Sequence, residues 1–193
     1  QDLKIVRLNF VSYFEPGPVS WTAEDKTGCV LKFSMKYWDI KSNPRKFLST
    51  ACYAGAEEFT RALLKGRNYS DFCEDNDPFH NDPLQIAIDW RHSRLVKILI
   101  DHGADVNVRF RPYSASPLIV GSRLGFTEIV QIFLDHKAEI DTRDEIKMTA
   151  LMHACANGHF EVVQLLKEHG ADVNATDISS QTPIMYAATN GHF

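Results

Sequence analysis

The chain has 193 residues, of which 44% are hydrophobic and 24% are charged, and its formal net charge at pH 7 is −4. This composition is typical of a folded globular protein and excludes a disordered polyelectrolyte tail. The negative charge argues against a nucleic-acid partner, because sequence-independent binding requires a clustered cationic surface. No apolar run approaches the roughly 20 residues of a membrane-spanning helix, so we also expect no membrane partner.

The four cysteines, Cys29, Cys52, Cys73 and Cys155, are scattered through the chain without a C-x-x-C pair. This pattern favours buried, reduced thiols over a disulfide framework. No secretory signal opens the chain. We therefore predict a soluble cytoplasmic or nuclear protein.

Residues 1–45 show the alternation of half-buried strands. Val6, Leu8 and Phe10 alternate with polar residues, and the same period runs from Leu31 to Tyr37. The segments "EPGP" and "EDKTG" between them are turn signals. We predict a small three-stranded meander, which either packs on the following units or ends a domain that begins upstream.

The rest of the chain repeats itself about every 33 residues. The copies are "DPLQIAIDWRHSRLVKILIDHGADVN" from Asp82, "SPLIVGSRLGFTEIVQIFLDHKAEID" from Ser116, "TALMHACANGHFEVVQLLKEHGADVN" from Thr149 and "TPIMYAATNGHF" from Thr182. A weaker copy starts at Lys46. Such a period predicts a stack of similar units.

Each copy carries the signals of two helices and a hairpin. A Thr, Ser or Asp, often followed by Pro, caps a first helix. A glycine then ends that helix where a positive φ is expected, at Gly55, Gly125, Gly158 and Gly191. An apolar stripe forms the second helix, and segments such as "HGADVN" lead into a hairpin. No unit can bury its apolar face alone, so neighbouring units must stack.

These motifs resemble the ankyrin repeat family over residues 46–193, as four repeats and a partial fifth. The resemblance implies a mainly α fold, a solenoid of helix-turn-helix plus hairpin units, preceded by the β-rich segment at 1–45. One departure is Arg91 at the turn-glycine position. Another is the family's histidine after Pro-Leu, whose positions here are Ser49, Gln85, Ile119, Met152 and Met185.

The tetrapeptide "NGHF" occurs at 157–160 and again at 190–193, where each copy is assigned to the turn between two helices of a unit. The second copy closes the chain, so we expect that the last unit lacks its second helix. A solenoid needs a polar cap. We therefore expect this chain to be part of a longer one.

The sequence contains no phosphate-binding Gly loop, no nucleophile elbow and no H-E-x-x-H motif. The acidic stretch "CEDNDPFHND" at 73–82 lacks the glycine and closing glutamate of a calcium loop. The pairs Cys73 with His80 and His153 with Cys155 lack further zinc ligands at suitable spacing. We expect a non-catalytic protein without a metal or a cofactor.

The resemblance places a partner on the hairpin tips and on the exposed end of each first helix. Aromatic residues and arginines, which often anchor interfaces, gather there in the first three units. The predicted partner-binding residues are Tyr53, Asp89, Trp90, Arg109, Phe110, Arg111, Tyr113, Arg123 and Leu124. Their character predicts an acidic and apolar partner segment. The structural alternatives are that Trp90 fills the space beside the missing glycine and that Phe110 packs on its own loop.

Asn107 and Asn174 end the "DVN" motif of their units. The family includes substrates of an asparaginyl hydroxylase at this position with a leucine eight residues earlier, and Leu99 and Leu166 fit that spacing. The alternative role is a hairpin-stabilising amide. The expected function is a protein-interaction module, an adaptor or scaffold; the alternative is a substrate-recruiting or regulatory region of a larger enzyme, ubiquitin-ligase subunit or channel.

Overall fold

The computed structural model describes residues 4–8, 18–24, 30–36, 44–72 and 82–192, with side chains for 47–72 and 82–192. The acidic stretch up to Asn81, with Cys73 and His80, lies outside the described residues, as do Phe10 and Tyr37.

Three antiparallel strands precede the helices: β1 (Lys4–Leu8), β2 (Pro18–Glu24) and β3 (Val30–Lys36). Their order in the sheet is β1-β2-β3. Trp21 pairs with Phe33 across β2 and β3, and the register of β1 shifts between Ile5 and Arg7. The interpretation of residues 1–45 as a separate β segment stays a prediction.

The rest of the described chain is helical. The α-helices are α1 (Pro44–Tyr53), α2 (Glu57–Leu64), α3 (Pro83–Asp89), α4 (Ser93–Asp101), α5 (Pro117–Leu124), α6 (Thr127–Asp135), α7 (Ala150–Ala156), α8 (Phe160–Glu168) and α9 (Pro183–Thr189), with a 3₁₀ helix at Tyr69–Phe72. Helix α1 thus begins at Pro44, slightly before the expected start of the repeats at residue 46. None of the described helices has the length and apolar character needed to cross a membrane.

In three units a side chain caps the first helix as the sequence predicts, whereas the Thr182 hydroxyl before α9 makes no capping bond. The Asp82 carboxylate accepts from the backbone N–H of Leu84 at 2.8 Å. Ser116 accepts in the same way from Ile119, and Thr149 accepts from Met152, each at 3.3 Å. These bonds satisfy amide groups that have no partner within the helix.

The first helix ends at a residue with positive φ in every unit. The turn glycines have φ between 68° at Gly55 and 75° at Gly191, as the sequence predicts. Arg91 adopts φ 56° without being a glycine. A residue with a β-carbon is strained in this region by about 1–2 kcal/mol. The Arg91 guanidinium lies 5.5 Å from the centroid of the Phe126 ring, a contact that offsets part of this strain.

The helices form two layers, because each first helix contacts the first helix of the next unit and each second helix contacts the next second helix. Leu48, Leu84, Leu118 and Leu151 hold one equivalent position and are almost entirely buried between units. They belong to a single core that runs from Phe47 to Ala171. Burying such a side chain contributes about 1.5–3 kcal/mol, so the stacking of units is what stabilises the fold.

Candidate functional site

Two exposed aromatic rings meet at the ends of α1 and α3, which are the first helices of the first two units. Tyr53 is the last residue of α1 and Trp90 directly follows α3. Their ring centroids are 4.4 Å apart with an interplanar angle of 63°, an edge-to-face arrangement. Tyr53 nevertheless remains 53% exposed and Trp90 46% exposed. The rings hold each other in place while keeping much of their surface open to a partner.

A carboxylate and a guanidinium occupy the same position as Tyr53 in the next two units. They belong to Asp89 and Arg123, both exposed. Atoms around the Asp89 carboxyl still desolvate it enough to raise its pKa above the ordinary value, and the charge of Arg123 partly opposes this rise. Within the described part of the chain, no salt bridge engages Asp89. The carboxylate is thus exposed, its pKa is raised by partial desolvation, and it lacks a directly paired cation.

Leu124 follows Arg123 and is 36% exposed. Because helices α1, α3 and α5 contact one another in sequence, these side chains share one row of helix ends. We call this row the helix-end face, and it consists of Tyr53, Asp89, Trp90, Arg123 and Leu124. The structure thus brings five of the predicted partner-binding residues to equivalent places in three consecutive units.

The remaining predicted residues lie in the loop before α5, where one bonds to the next hairpin, one is buried and two are exposed. Arg109 Nη1 donates to the carbonyl oxygen of Arg143 in the next hairpin at 2.8 Å and to that of Ser114 at 3.2 Å. Arg143 Nη1 donates in the same way to the carbonyl of Thr176 at 3.0 Å. The guanidinium of Arg109 therefore connects two hairpins.

Phe110 requires a correction, because the structure removes it from any exposed surface. Its side chain is 4% exposed and packs in the core, and its N–H donates to the carbonyl of Ala115 at 2.9 Å. This burial favours the structural alternative for Phe110, with the ring in the main core as well as next to its own loop. An aromatic ring in a loop gains more free energy from burial than from exposure, and the extra length of this loop lets it fold inward.

Arg111 and Tyr113 are exposed at the tip of the same loop. The Tyr113 carbonyl accepts from the N–H of Glu145, and the Ile146 carbonyl accepts from the N–H of Ile178, each at 3.2 Å. Backbone bonds therefore join successive hairpin tips, and Tyr113, Ile146 and Ile178 expose apolar side chains along them. We call Arg111, Tyr113, Ile146 and Ile178 the hairpin-tip face. An apolar residue at a hairpin tip, where polar residues are usual, was the sequence signal for the two isoleucines.

Two carboxylates that the sequence did not single out fix these hairpins to the helices. Asp144 accepts from His153 Nε2 at 2.8 Å and from the N–H of Met148 at 2.9 Å. Asp177, at the equivalent position, accepts from the Tyr186 hydroxyl at 2.6 Å. The partner of His153 is thus Asp144 rather than Cys155. Among the described residues, no group of three or more His, Cys, Asp or Glu side chains is close enough to hold a metal ion.

The two asparagines of the "DVN" motif have different surroundings. Asn107 is partly buried, and its Oδ1 accepts from the N–H of Glu139 at 2.9 Å, so it stabilises the neighbouring hairpin. Asn174 is exposed. Leu99 and Leu166 are both fully buried. Hydroxylation of Asn107 or Asn174 stays a prediction.

The sequence profile described as ankyrin repeats (3 copies) matches residues 21–110 and again residues 113–193. The chain belongs to the ankyrin repeat family. This match confirms the resemblance seen in the repeated motifs, and the ankyrin assignment agrees with the stack of helix pairs. Ankyrin repeats are in general protein–protein interaction modules. No match was found among curated proteins.

Proposed function

We propose that this ankyrin stack is a non-catalytic adaptor or scaffold that binds a partner protein through the helix-end face and the hairpin-tip face. The single observation that carries the proposal is the exposed Tyr53–Trp90 ring pair. A soluble protein gains stability by burying such rings, so a rigid pair held at the surface is typical of an interface anchor.

The charge of the hairpins favours an acidic and apolar partner segment. Between Arg109 and Lys147, the hairpins expose the cations Arg109, Arg111, Arg143 and Lys147 and the anions Glu139, Asp141 and Glu145, of which Glu145 lies at the tip itself. Asp144 is partly buried and paired with His153. An acidic segment with apolar side chains would match both this charge and the row formed by Tyr113, Ile146 and Ile178.

The second candidate role is that of a substrate-recruiting or regulatory region in a larger enzyme, ubiquitin-ligase subunit or channel. It would use the same two faces, since recruitment also requires a partner-binding surface. For either role we propose a cytoplasmic or nuclear location, in keeping with free Cys52 and Cys155.

The test is affinity capture from a cell lysate with the native chain and three single variants. Trp90→Ala removes a ring of the helix-end face and Tyr113→Ala a ring of the hairpin-tip face. The matched control is Phe160→Ala, because Phe160 is a ring 71% exposed at the start of α8 and outside both faces. Circular dichroism checks that each variant is folded.

We expect Trp90→Ala or Tyr113→Ala to lose a partner that the native chain and Phe160→Ala both retain. A loss of about 2 kcal/mol, or roughly 30-fold in affinity, is usual for an aromatic anchor. Equal capture by all four proteins would show that neither face is the binding surface.

A further inference from the structure

The helix-end face combines two exposed aromatic rings with a neighbouring carboxylate. Tyr53 and Trp90 present exposed aromatic surface at a fixed angle of 63°. Asp89 precedes Trp90 in the chain and holds the same position in its unit as Tyr53 in the unit before. A carboxylate therefore lies in the row of helix ends next to the exposed ring pair.

An aromatic face attracts a cation through its negative quadrupole, and a carboxylate is stabilised by a nearby positive charge. We propose that the Tyr53–Trp90–Asp89 corner is a subsite for an alkylammonium group, as carried by a lysine side chain of the partner protein. The assignment of the ammonium group to a partner protein rests on the proposed function. In this arrangement, the partner segment has acidic residues where it meets the hairpin tips and a basic residue where it meets the corner.

Among the described residues, Asp89 and Arg123 supply opposite charges near this corner. No salt bridge engages Asp89, and partial desolvation raises the pKa of its carboxyl, so the carboxylate form is less stable than in free solution. Arg123 is near enough to lower that pKa in part, but it makes no ion pair with Asp89 within 4.0 Å. Arg123 therefore competes weakly with an incoming ammonium group instead of replacing it.

Arg94 and Glu57 do not enter the corner. The Arg94 guanidinium lies 3.8 Å from the Glu57 carboxylate at the start of the second helices, and it is 81% exposed. Arg91 faces the ring of Phe126 at 5.5 Å. Arg94 is thus paired with Glu57 and Arg91 with the Phe126 ring, and neither forms a salt bridge with Asp89.

The test uses a pair of small probes of equal shape. Choline carries a quaternary ammonium group, and 3,3-dimethylbutan-1-ol replaces its nitrogen with carbon and is neutral. Each is titrated into the isotopically labelled chain at constant ionic strength, and the indole N–H signal of Trp90 is followed by NMR. The chain has 3 tryptophans, so the signal is assigned with Trp90→Phe, and the other two indoles serve as internal references.

We expect choline to shift the Trp90 signal saturably, with a dissociation constant on the order of millimolar, and the neutral alcohol to bind at least about 5-fold more weakly. Asp89→Asn keeps the shape of the side chain and should weaken choline binding by about 5-fold. Arg123→Gln should strengthen it, because it removes a competing positive charge. Asp101→Asn, an exposed carboxylate on α4, should leave it unchanged.

An equal response to choline and to the neutral alcohol would overturn the proposal, because the corner would then be an apolar surface only. No response to choline would overturn it as well. These outcomes are independent of partner capture, since the titration contains no partner. If Trp90→Ala loses a captured protein but choline does not bind, the proposed function stands and the ammonium subsite is wrong.

Discussion

The imidazole of His159 lies directly over Gly125, the turn glycine of the preceding unit. A β-carbon on Gly125 would be 2.5 Å from His159 Nδ1, and His159 Nε2 donates to the carbonyl of Arg123 at 3.0 Å. The same relationship joins His192 to Gly158. The repeated "NGHF" motif therefore interlocks units: its glycine receives the histidine of the next unit, and its histidine covers the glycine of the previous one.

Gly125→Ala should lower the free energy of unfolding through two separate effects. Alanine at φ 72° costs about 1–2 kcal/mol, and the clash with the His159 ring adds about 1–3 kcal/mol of overpacking. Gly103→Ala is the matched control, because Gly103 also has positive φ, at 93°, but has no atom within 4 Å of an added β-carbon. Urea unfolding followed by circular dichroism measures both variants.

We expect Gly125→Ala to lose at least about 1 kcal/mol more than Gly103→Ala. Equal losses would mean that backbone strain alone matters and that the contact with His159 does not restrict the turn. The double variant Gly125→Ala, His159→Ala provides a further check, since it should recover the overpacking part of the loss.

The repeat period predicted the turn glycines and the helix starts, because these depend on residues close together in the chain. It could not predict the interlock, since periodicity shows which residues are equivalent and not which ones touch. Arg91 illustrates the limit. Its unit lacks the turn glycine, the next unit has Phe126 where the second, fourth and fifth units have histidine, and the structure shows that Arg91 and Phe126 contact each other.

Ser122→Ala should raise the stability of the protein. Ser122 is fully buried in α5, and its hydroxyl has no hydrogen-bond partner among the described residues. Removing an unpaired buried hydroxyl, at a helical position where alanine is also preferred, should raise the free energy of unfolding by about 1 kcal/mol.

Thr149→Ala is the control, and we expect it to change stability in the opposite direction. The Thr149 hydroxyl is equally buried, but it accepts a hydrogen bond from the N–H of Met152 and caps α7. The substitution should lower the free energy of unfolding by about 1 kcal/mol. A loss of stability in Ser122→Ala under the same conditions would mean that its hydroxyl has a partner after all.

The sequence predicted which positions belong to the candidate site, but it did not predict how their side chains combine into a surface. Sequence reasoning found Tyr53, Asp89, Trp90, Arg123 and Leu124, since the repeat assigns them to helix ends. It placed Phe110 wrongly because exposure in a loop of irregular length depends on how that loop folds. It gave Ile146 and Ile178 no role, because the backbone bond between their hairpins joins residues 32 positions apart.

Acid should weaken the hairpin around Asp177. The Tyr186 hydroxyl is the main cause that lowers the pKa of the Asp177 carboxyl below 3.8, and N–H donation from Gln181 and Ser179 adds to it. The pKa of Asp177 is lower in the folded than in the unfolded chain, so its carboxylate contributes stability above about pH 4. That contribution is lost as the pH falls through the folded pKa. Tyr186→Phe should raise the Asp177 pKa, measured by NMR titration of the carboxyl carbon. An unchanged titration in Tyr186→Phe would show that the hydroxyl bond does not set the pKa.

Substitutions of Arg109 and Arg111 should have different effects, one on the stability of the hairpins and the other on binding of a partner. Arg109→Gln removes the bond from Nη1 to the Arg143 carbonyl, so it should lower the free energy of unfolding by about 1 kcal/mol. Arg111→Gln changes an exposed side chain and should alter stability by less than about 0.5 kcal/mol. For an acidic partner, Arg111→Gln should slow association and weaken its dependence on salt. Thermal unfolding and binding kinetics at two salt concentrations measure these effects. If Arg111→Gln were destabilising and left binding unchanged, Arg111 would belong to the hairpin framework and not to the hairpin-tip face.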